Sequence, residues 1–340
     1  MNMPPWLQTG RTKVIAVSLV AAVGLVAGGL ALTMNGKQVP TPSAQPSTAQ
    51  PSTVPPTTPA PTVTIASLAH SPLTGLPGQP AYRVIAVKVN NILPNEAGVR
   101  RADLTQLGIG SADVVVEELV EGGLTRLVVM YQSHLPSTVG PVRSLRATDS
   151  YLLLPVRALL LSSGGSGLEV RDLQQRGVDF RTGGAGYWRL SSRSSVYSEV
   201  VDTSKLRQPY STVPDLLTFG SPDLSKAKVV ARFTVRFTYK TISFTYRNGI
   251  YLREPDLAQV PFPAKNVLVL TTRVRSLFVD QHGAKVPEEV LMGSGSATLY
   301  TQGKMITGLW QKPSQSSPIK TTFAIPPGKT AIELVPANGL

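Results

Sequence analysis

A run of 26 residues, Gln38 to Val63, holds eight prolines and nine serines or threonines, no charge and almost nothing large and apolar. Such a segment cannot bury enough apolar surface to offset the entropy of ordering it, so it divides the chain instead of joining a core. Proline favours extended polyproline II at about 3.1 Å per residue, which makes this linker a stalk that can reach roughly 80 Å. Its Ser/Thr-Pro content permits O-glycosylation. A globular composition begins near Ser71 and leaves enough chain for two domains or one large one.

On the N-terminal side, Arg11 and Lys13 precede an uncharged stretch from Val14 to Met34, and Lys37 follows. A helix of that length spans about 30 Å. The flanking charges favour a cytoplasmic N-terminus, although Lys37 weakens the asymmetry. A cleaved signal peptide is the competing reading, but the apolar run is long and no clear A-x-A site follows it. The expectation is therefore a cytoplasmic segment 1–13, a single-pass anchor 14–34 that ties the chain to the cell membrane, a stalk 35–70 and an extracytoplasmic body. That order reads as a bacterial envelope protein.

Beyond the stalk, Tyr82 to Asn91 alternates apolar and polar residues and is β-rich, as are Asp113 to Val120 and Leu124 to Ser133. Glu121-Gly122-Gly123 between the last two predicts a hairpin. Val156 to Ser162 reads as a buried strand, followed by Gly164-Gly165-Ser166-Gly167 and a helix from Leu168 to Arg176 ended by Gly177. After Val229, β-like runs are separated by turn signals such as Asn248-Gly249 and Gln302-Gly303. The fold class expected is α+β: an N-terminal mixed α/β domain, 71–200, with a mostly antiparallel sheet; a connecting helix and loop, 201–227; and a predominantly β C-terminal domain, 228–337.

The chain has no cysteine and three distant histidines, His70, His134 and His282, which removes thiolate chemistry and any local His-rich metal site. Nothing in the sequence calls for a metal or a cofactor. There are 33 Lys and Arg against 20 Asp and Glu, and their distribution is uneven. Residues 64–204 carry twelve Arg and one Lys, Lys88, whereas from 205 onward there are seven Arg and ten Lys. Arginine presents a permanently charged planar fork that suits carboxylate or phosphate, so the first domain is the place for an anion site. Scattered surface salt bridges are the bland alternative.

Within that domain Gly140-Pro141-Val142-Arg143-Ser144-Leu145-Arg146 stands out. If a helix begins near Ser144, Arg143 and Arg146 point the same way. The loop Gly164, Gly165, Ser166 and Gly167, lying between a strand and a helix, would add backbone N–H donors. It is neither a Walker loop nor a dinucleotide fingerprint, and a tight packing turn is the simpler reading. Carboxylates cluster at Glu117, Glu118 and Glu121. In a strand Glu117 and Glu118 face opposite sides, and residues four apart stand roughly 13 Å apart, too far for a glycosidase pair. One of them is expected to orient Arg126. Gly183 to Arg189, with Arg193 and Tyr197, interleaves aromatics and arginines in a way that suits sugar stacking or cation–π contact, with core packing of Trp188 as the alternative. No nucleic acid is expected outside the membrane.

These segments resemble the YerB-like lipoprotein family, bacterial envelope proteins of unknown function, from Ser71-Pro72-Leu73-Thr74-Gly75 to near Pro336. The resemblance is carried by Ala86-Val87-Lys88-Val89-Asn90-Asn91, Ala112-Asp113-Val114-Val115-Val116-Glu117, Glu121-Gly122-Gly123-Leu124-Thr125-Arg126, Gly140 to Arg146 and Gly164-Gly165-Ser166. In the second half it runs through Ala264 to Val267, Gly293-Ser294-Gly295 and Gly303 to Trp310. It implies an N-terminal α/β domain and a C-terminal domain that travel together. Two departures stand out: the family's lipobox cysteine is missing, and Ser195-Val196-Tyr197 replaces an Asn-x-Tyr pattern.

Two function classes follow. One is a non-catalytic protein that binds an anionic wall polymer or envelope protein through Arg126, Arg143, Ser144, Arg146, Gly164, Gly165 and Ser166, supported by Asn90, Asn91, Asp113, Glu117, Glu121 and Tyr197. The other is a hydrolase or transferase acting on wall phosphate or sugar polymers, with Glu117 or Asp113 as base or metal ligand.

Overall fold

The structure is a computed structural model that describes residues 69–280 and 283–337. The described residues form one compact unit. The first half contributes β1 (Ile85–Asn90), β2 (Val114–Leu119), β3 (Thr125–Tyr131), β4 (Leu159–Leu161), β5 (Asp179–Arg181), β6 (Tyr187–Arg189) and β7 (Glu199–Val201). The second half adds β8 (Lys228–Val229), β9 (Arg232–Arg236), β10 (Thr241–Arg247), β11 (Ile250–Glu254), β12 (Asn266–Val279), β13 (Lys285–Val290), β14 (Gly293–Thr301), β15 (Lys304–Lys312), β16 (Lys320–Thr321) and β17 (Thr330–Pro336).

A 12-stranded sheet runs β16-β15-β14-β12-β17-β2-β3-β1-β4-β5, with β13 beside β12 and β8 beside β15. The two halves of the chain meet in it, because β17 pairs in parallel with β2, Thr330 opposite Val114 through Glu333 opposite Glu117. The fold is α+β and its second half is predominantly β. The hairpin expected at Glu121-Gly122-Gly123 joins β2 to β3, an antiparallel pair. Gly122 and Gly123 have φ of 66° and 70°, the left-handed region where a Cβ is costly.

Both faces of the central strands are covered. On one face Ala86, Val116 and Val128 pack with Leu145, Tyr151 and Leu173. On the other, Val87, Val89 and Leu127 pack with Val139, Val142 and Val201. The alternation of β1 therefore does not mark a solvent side, and the polar positions Lys88 and Asn90 are both at 0% exposure. The three-stranded sheet β11-β10-β9 closes a third cluster against Val267 and Ala331.

Two short helices, α1 (Pro94–Ala97) and α2 (Arg101–Leu104), follow β1; α3 (Asp149–Leu153) precedes β4 and α4 (Gly167–Gln175) precedes β5. Two local expectations are corrected. No helix starts at Ser144: residues 143–146 are extended and α3 begins at Asp149, because Arg143 N and Leu145 N bond to the Lys88 and Gly164 carbonyls. The connecting helix expected within 201–227 is a 3-10 turn, Thr203–Leu206, followed by extended chain. Pro209 and Pro214 oppose a helix there, and Leu216 and Leu217 are buried along Ile319. The anchor expected at 14–34 and the stalk up to residue 68 lie outside the described residues; among those described, no helix is long and apolar enough to cross a membrane.

Candidate functional site

The ends of β1 and β2 and the start of β3 carry polar side chains on the face covered by α3 and α4. Asn90 stands opposite Arg126, and Arg126 opposite Glu118, in antiparallel register, so the three share that face with Lys88. Val89 bridges Val142 on the other face, which brings Arg143 to the side of Lys88. Ser162 follows Leu161, which pairs with Val87, and lies alongside Lys88.

Lys88 is the centre of this patch. Its Nζ donates to Glu118 and, at 2.5 Å, to Asp149 Oδ1, and all three side chains are at 0% exposure. Asp149 Oδ2 accepts the Arg146 backbone N–H at 2.6 Å. Burial pushes Glu118 up to about 7, and the charge of Asp149 adds to it, against the opposing pull of Lys88. Above them the arginines converge. Arg146 donates to Glu121 Oε2 at 2.5 Å and its Nε faces Glu169 Oε1 at 3.1 Å. Burial opposes its charge, yet these two carboxylates raise its pKa. Arg126 fares differently: its NH1 donates to the Ser144 carbonyl at 2.9 Å and its nearest carboxylate, Glu121, lies at 4.0 Å. Burial and the like charge of Arg146 push it down to about 9. Arg143 donates to the Val196 carbonyl at 3.0 Å and lies over the Tyr197 ring at 5.5 Å, and burial lowers its pKa as well. Among the described residues no carboxylate comes within 4.0 Å of Arg143.

Helix α4 supplies its own anion. Ser166 and Glu169 form a reciprocal capping box, Glu169 N donating to Ser166 Oγ at 3.2 Å and Ser166 N to Glu169 Oε2 at 3.0 Å. One of the donors expected from the 164–167 loop, Ser166 N, is thereby taken, and Glu169 passes its charge to Arg146. Gly165 packs on Leu145, where a Cβ would come to 2.7 Å of Cδ1. Gly122, Gly165 and Val196 form the exposed rim.

Of the residues expected from sequence, Arg126, Arg143, Arg146, Glu121, Asn90, Tyr197 and the Ser144 and Gly164 carbonyls meet here. Glu117, Asn91 and Asp113 do not. Glu117 lies on the opposite face, where Thr125 Oγ1 donates to it at 2.7 Å and Arg253 at 2.5 Å, with Lys240 at 3.6 Å. Burial would raise its pKa, but Arg253 and Lys240 hold it low, and it is a fixed counter-ion instead of a base or the partner of Arg126. The adjacent cavity, lined by Glu117, Arg253 and Glu333, is about 30 Å³, enough to hold ordered water. Asn91 joins that network through Thr125. Asp113 accepts from the Gln132 and Ser133 backbone N–H groups at 2.7 and 2.8 Å, which fixes the end of β3. Sequence reasoning missed Lys88, Glu118, Asp149, Ser162 and Glu169. The signal for Lys88 was its being the lone lysine among twelve arginines.

The pKa of Glu118 gives a testable sign. A carboxyl raised from 4.5 to about 7 contributes stability that is present below 4.5 and lost as pH rises through 7. The groups facing it are Lys88, Asp149, Arg146 and Glu289. Glu118→Gln removes this titration, so its thermal stability relative to the parent should rise between pH 5 and pH 8, by an amount on the order of 3 kcal/mol. A difference that stays flat over that range would show that Glu118 ionises normally.

Comparison with known proteins fits this two-part body. The family described as "Protein of unknown function (DUF3048) N-terminal domain" matches residues 73–213, and its C-terminal counterpart matches 226–332. A Bacillus subtilis protein named "Putative lipoprotein YerB" is 26% identical over 302 residues, 78% of this chain and 86% of that protein. The crystal structure of YerB from Bacillus subtilis superposes with a TM-score of 0.63 at 23% identity, over 78% of this chain and 96% of the other, a likeness of fold. The single-pass localisation is corrected by these findings: the relative is named as a putative lipoprotein, and among the described residues no helix is long and apolar enough to cross a membrane.

Proposed function

The chain belongs to the family defined by the paired DUF3048 domains, and from that premise we propose that it is a membrane-associated envelope protein that receives an anionic group of a wall polymer between Arg126 and Arg143. One observation carries this reading: a buried Arg126 and a partly buried Arg143 lie on one face, the first with its nearest carboxylate, Glu121, at 4.0 Å and the second with none that close, beside an Asn90 amide that has no hydrogen-bond partner. Desolvated cations so weakly neutralised are costly to hold, and an incoming anion removes that cost. Arg146, with Glu121 and Glu169, positions the pair and needs no ligand of its own.

Retention on purified cell walls tests it. Arg143→Ala should weaken retention roughly tenfold at low salt, the worth of a charge-assisted hydrogen bond, and the gap should narrow as ionic strength rises. Unchanged retention counts against wall binding; retention by a membrane protein instead of the wall would move the anion to that partner.

One observation favours a second reading, a hydrolase or transferase acting on phosphate or sugar polymers. Glu118, pushed to about 7 beneath the arginines, holds a proton near neutral pH as a general acid does. Glu118→Gln would then abolish turnover of a phosphorylated polymer while leaving retention intact.

A further inference from the structure

Six polar atoms around the arginines have no hydrogen-bond partner although they are buried: Nδ2 and Oδ1 of Asn90, Oγ of Ser162, Oε2 of Glu118 and Nε of Arg126 and of Arg143. Buried polar groups are normally satisfied, and an amide that leaves both its donor and its acceptor idle at 0% exposure is an exception that calls for a cause. These atoms are not scattered. Asn90 is opposite Arg126 in the β1–β3 ladder, Arg143 N bonds the Lys88 carbonyl on the other edge of β1, and Ser163 N bonds the Arg143 carbonyl just past β4, so strand parity puts these side chains on one face.

Their chemistry specifies more than charge. A bare anion accepts hydrogen bonds and donates none, so it would satisfy the guanidiniums and Asn90 Nδ2 but leave Asn90 Oδ1 idle. A hydroxyl both donates and accepts, which matches an amide and a serine together. Two guanidiniums, neither of which has a carboxylate closer than 4.0 Å, suit a dianion better than a single carboxylate. We propose that the group received here is the phosphate of a phosphorylated sugar, and that Asn90 and Ser162 recognise a sugar hydroxyl next to it. This rests on the reading that Arg126 and Arg143 receive an anion.

The test is calorimetric titration of the full-length protein with glucose 6-phosphate, inorganic phosphate and glucose. Glucose 6-phosphate should bind about tenfold or more tightly than inorganic phosphate, since the hydroxyl pairs groups otherwise left unsatisfied, and glucose alone should give no heat. Ser162→Ala should reduce that ratio several-fold while inorganic phosphate binds as before; Asn90→Leu, close in volume, should weaken both phosphates and erase the ratio between them. Equal affinities for the two phosphates, lost together in Arg143→Ala, would overturn hydroxyl recognition and leave anion binding standing. No binding of either phosphate would overturn both.

Discussion

Lys88→Met is expected to destabilise the folded body by about 3–5 kcal/mol, the cost of leaving buried charge without its partner. The side chain is wholly enclosed and its ammonium is shared by Glu118 and Asp149, which are equally enclosed. Removing it leaves two carboxylates facing one another away from water. Glu118→Gln added to Lys88→Met should restore much of the loss, because one of the two stranded charges is gone. Urea denaturation of the parent and both variants measures this. A loss below about 1 kcal/mol, the range of exposed ion pairs, would mean that water reaches the carboxylates.

Trp310→Ala should cost a similar amount, about 3–5 kcal/mol, for a different reason. Trp310 is 1% exposed, its indole Nε1 donates to the Thr271 carbonyl at 3.0 Å, and it stands opposite Gly295 in the β14–β15 ladder. A Cβ at Gly295 would come to 2.6 Å of that Nε1, so Gly295→Ala overpacks the same spot and should cost about 1–3 kcal/mol. Thermal unfolding reads both. Neither variant should change affinity for an anion at the arginines, which separates the packing role of the Gly293-Ser294-Gly295 and Trp310 segments from the site in the first half. A Trp310→Ala protein that unfolds like the parent would mean the indole is not part of the core.

How much of this was legible in the sequence depends on the range of the interactions. The β2–β3 hairpin and the α4 helix were, because Glu121-Gly122-Gly123, Ser166 and Gly177 act locally. The convergence of Arg143 and Arg146 was also expected, but through a helix that does not form; an extended segment held by the Lys88 and Gly164 carbonyls brings them together instead. Glu117 and Asn91 were placed with the arginines, yet their strand parity sends them to the opposite face and to Arg253 of the second half. Lys88, Glu118 and Ser162 were missed because alternation in β1 and β2 reads the same whether the second face meets water or a covering helix. What covers that face, α3 and the 143–148 segment, comes from some 60 residues further along the chain.

Whether Arg126 and Arg143 receive an anion is read from a crystal structure of the protein soaked in selenate, by anomalous scattering. A selenium peak is expected within hydrogen-bond distance of both guanidiniums and of the Asn90 amide, and should be lost in Arg143→Ala. Ordered Arg126 and Arg143 side chains with no peak between them, and selenate bound elsewhere on the surface, would contradict it.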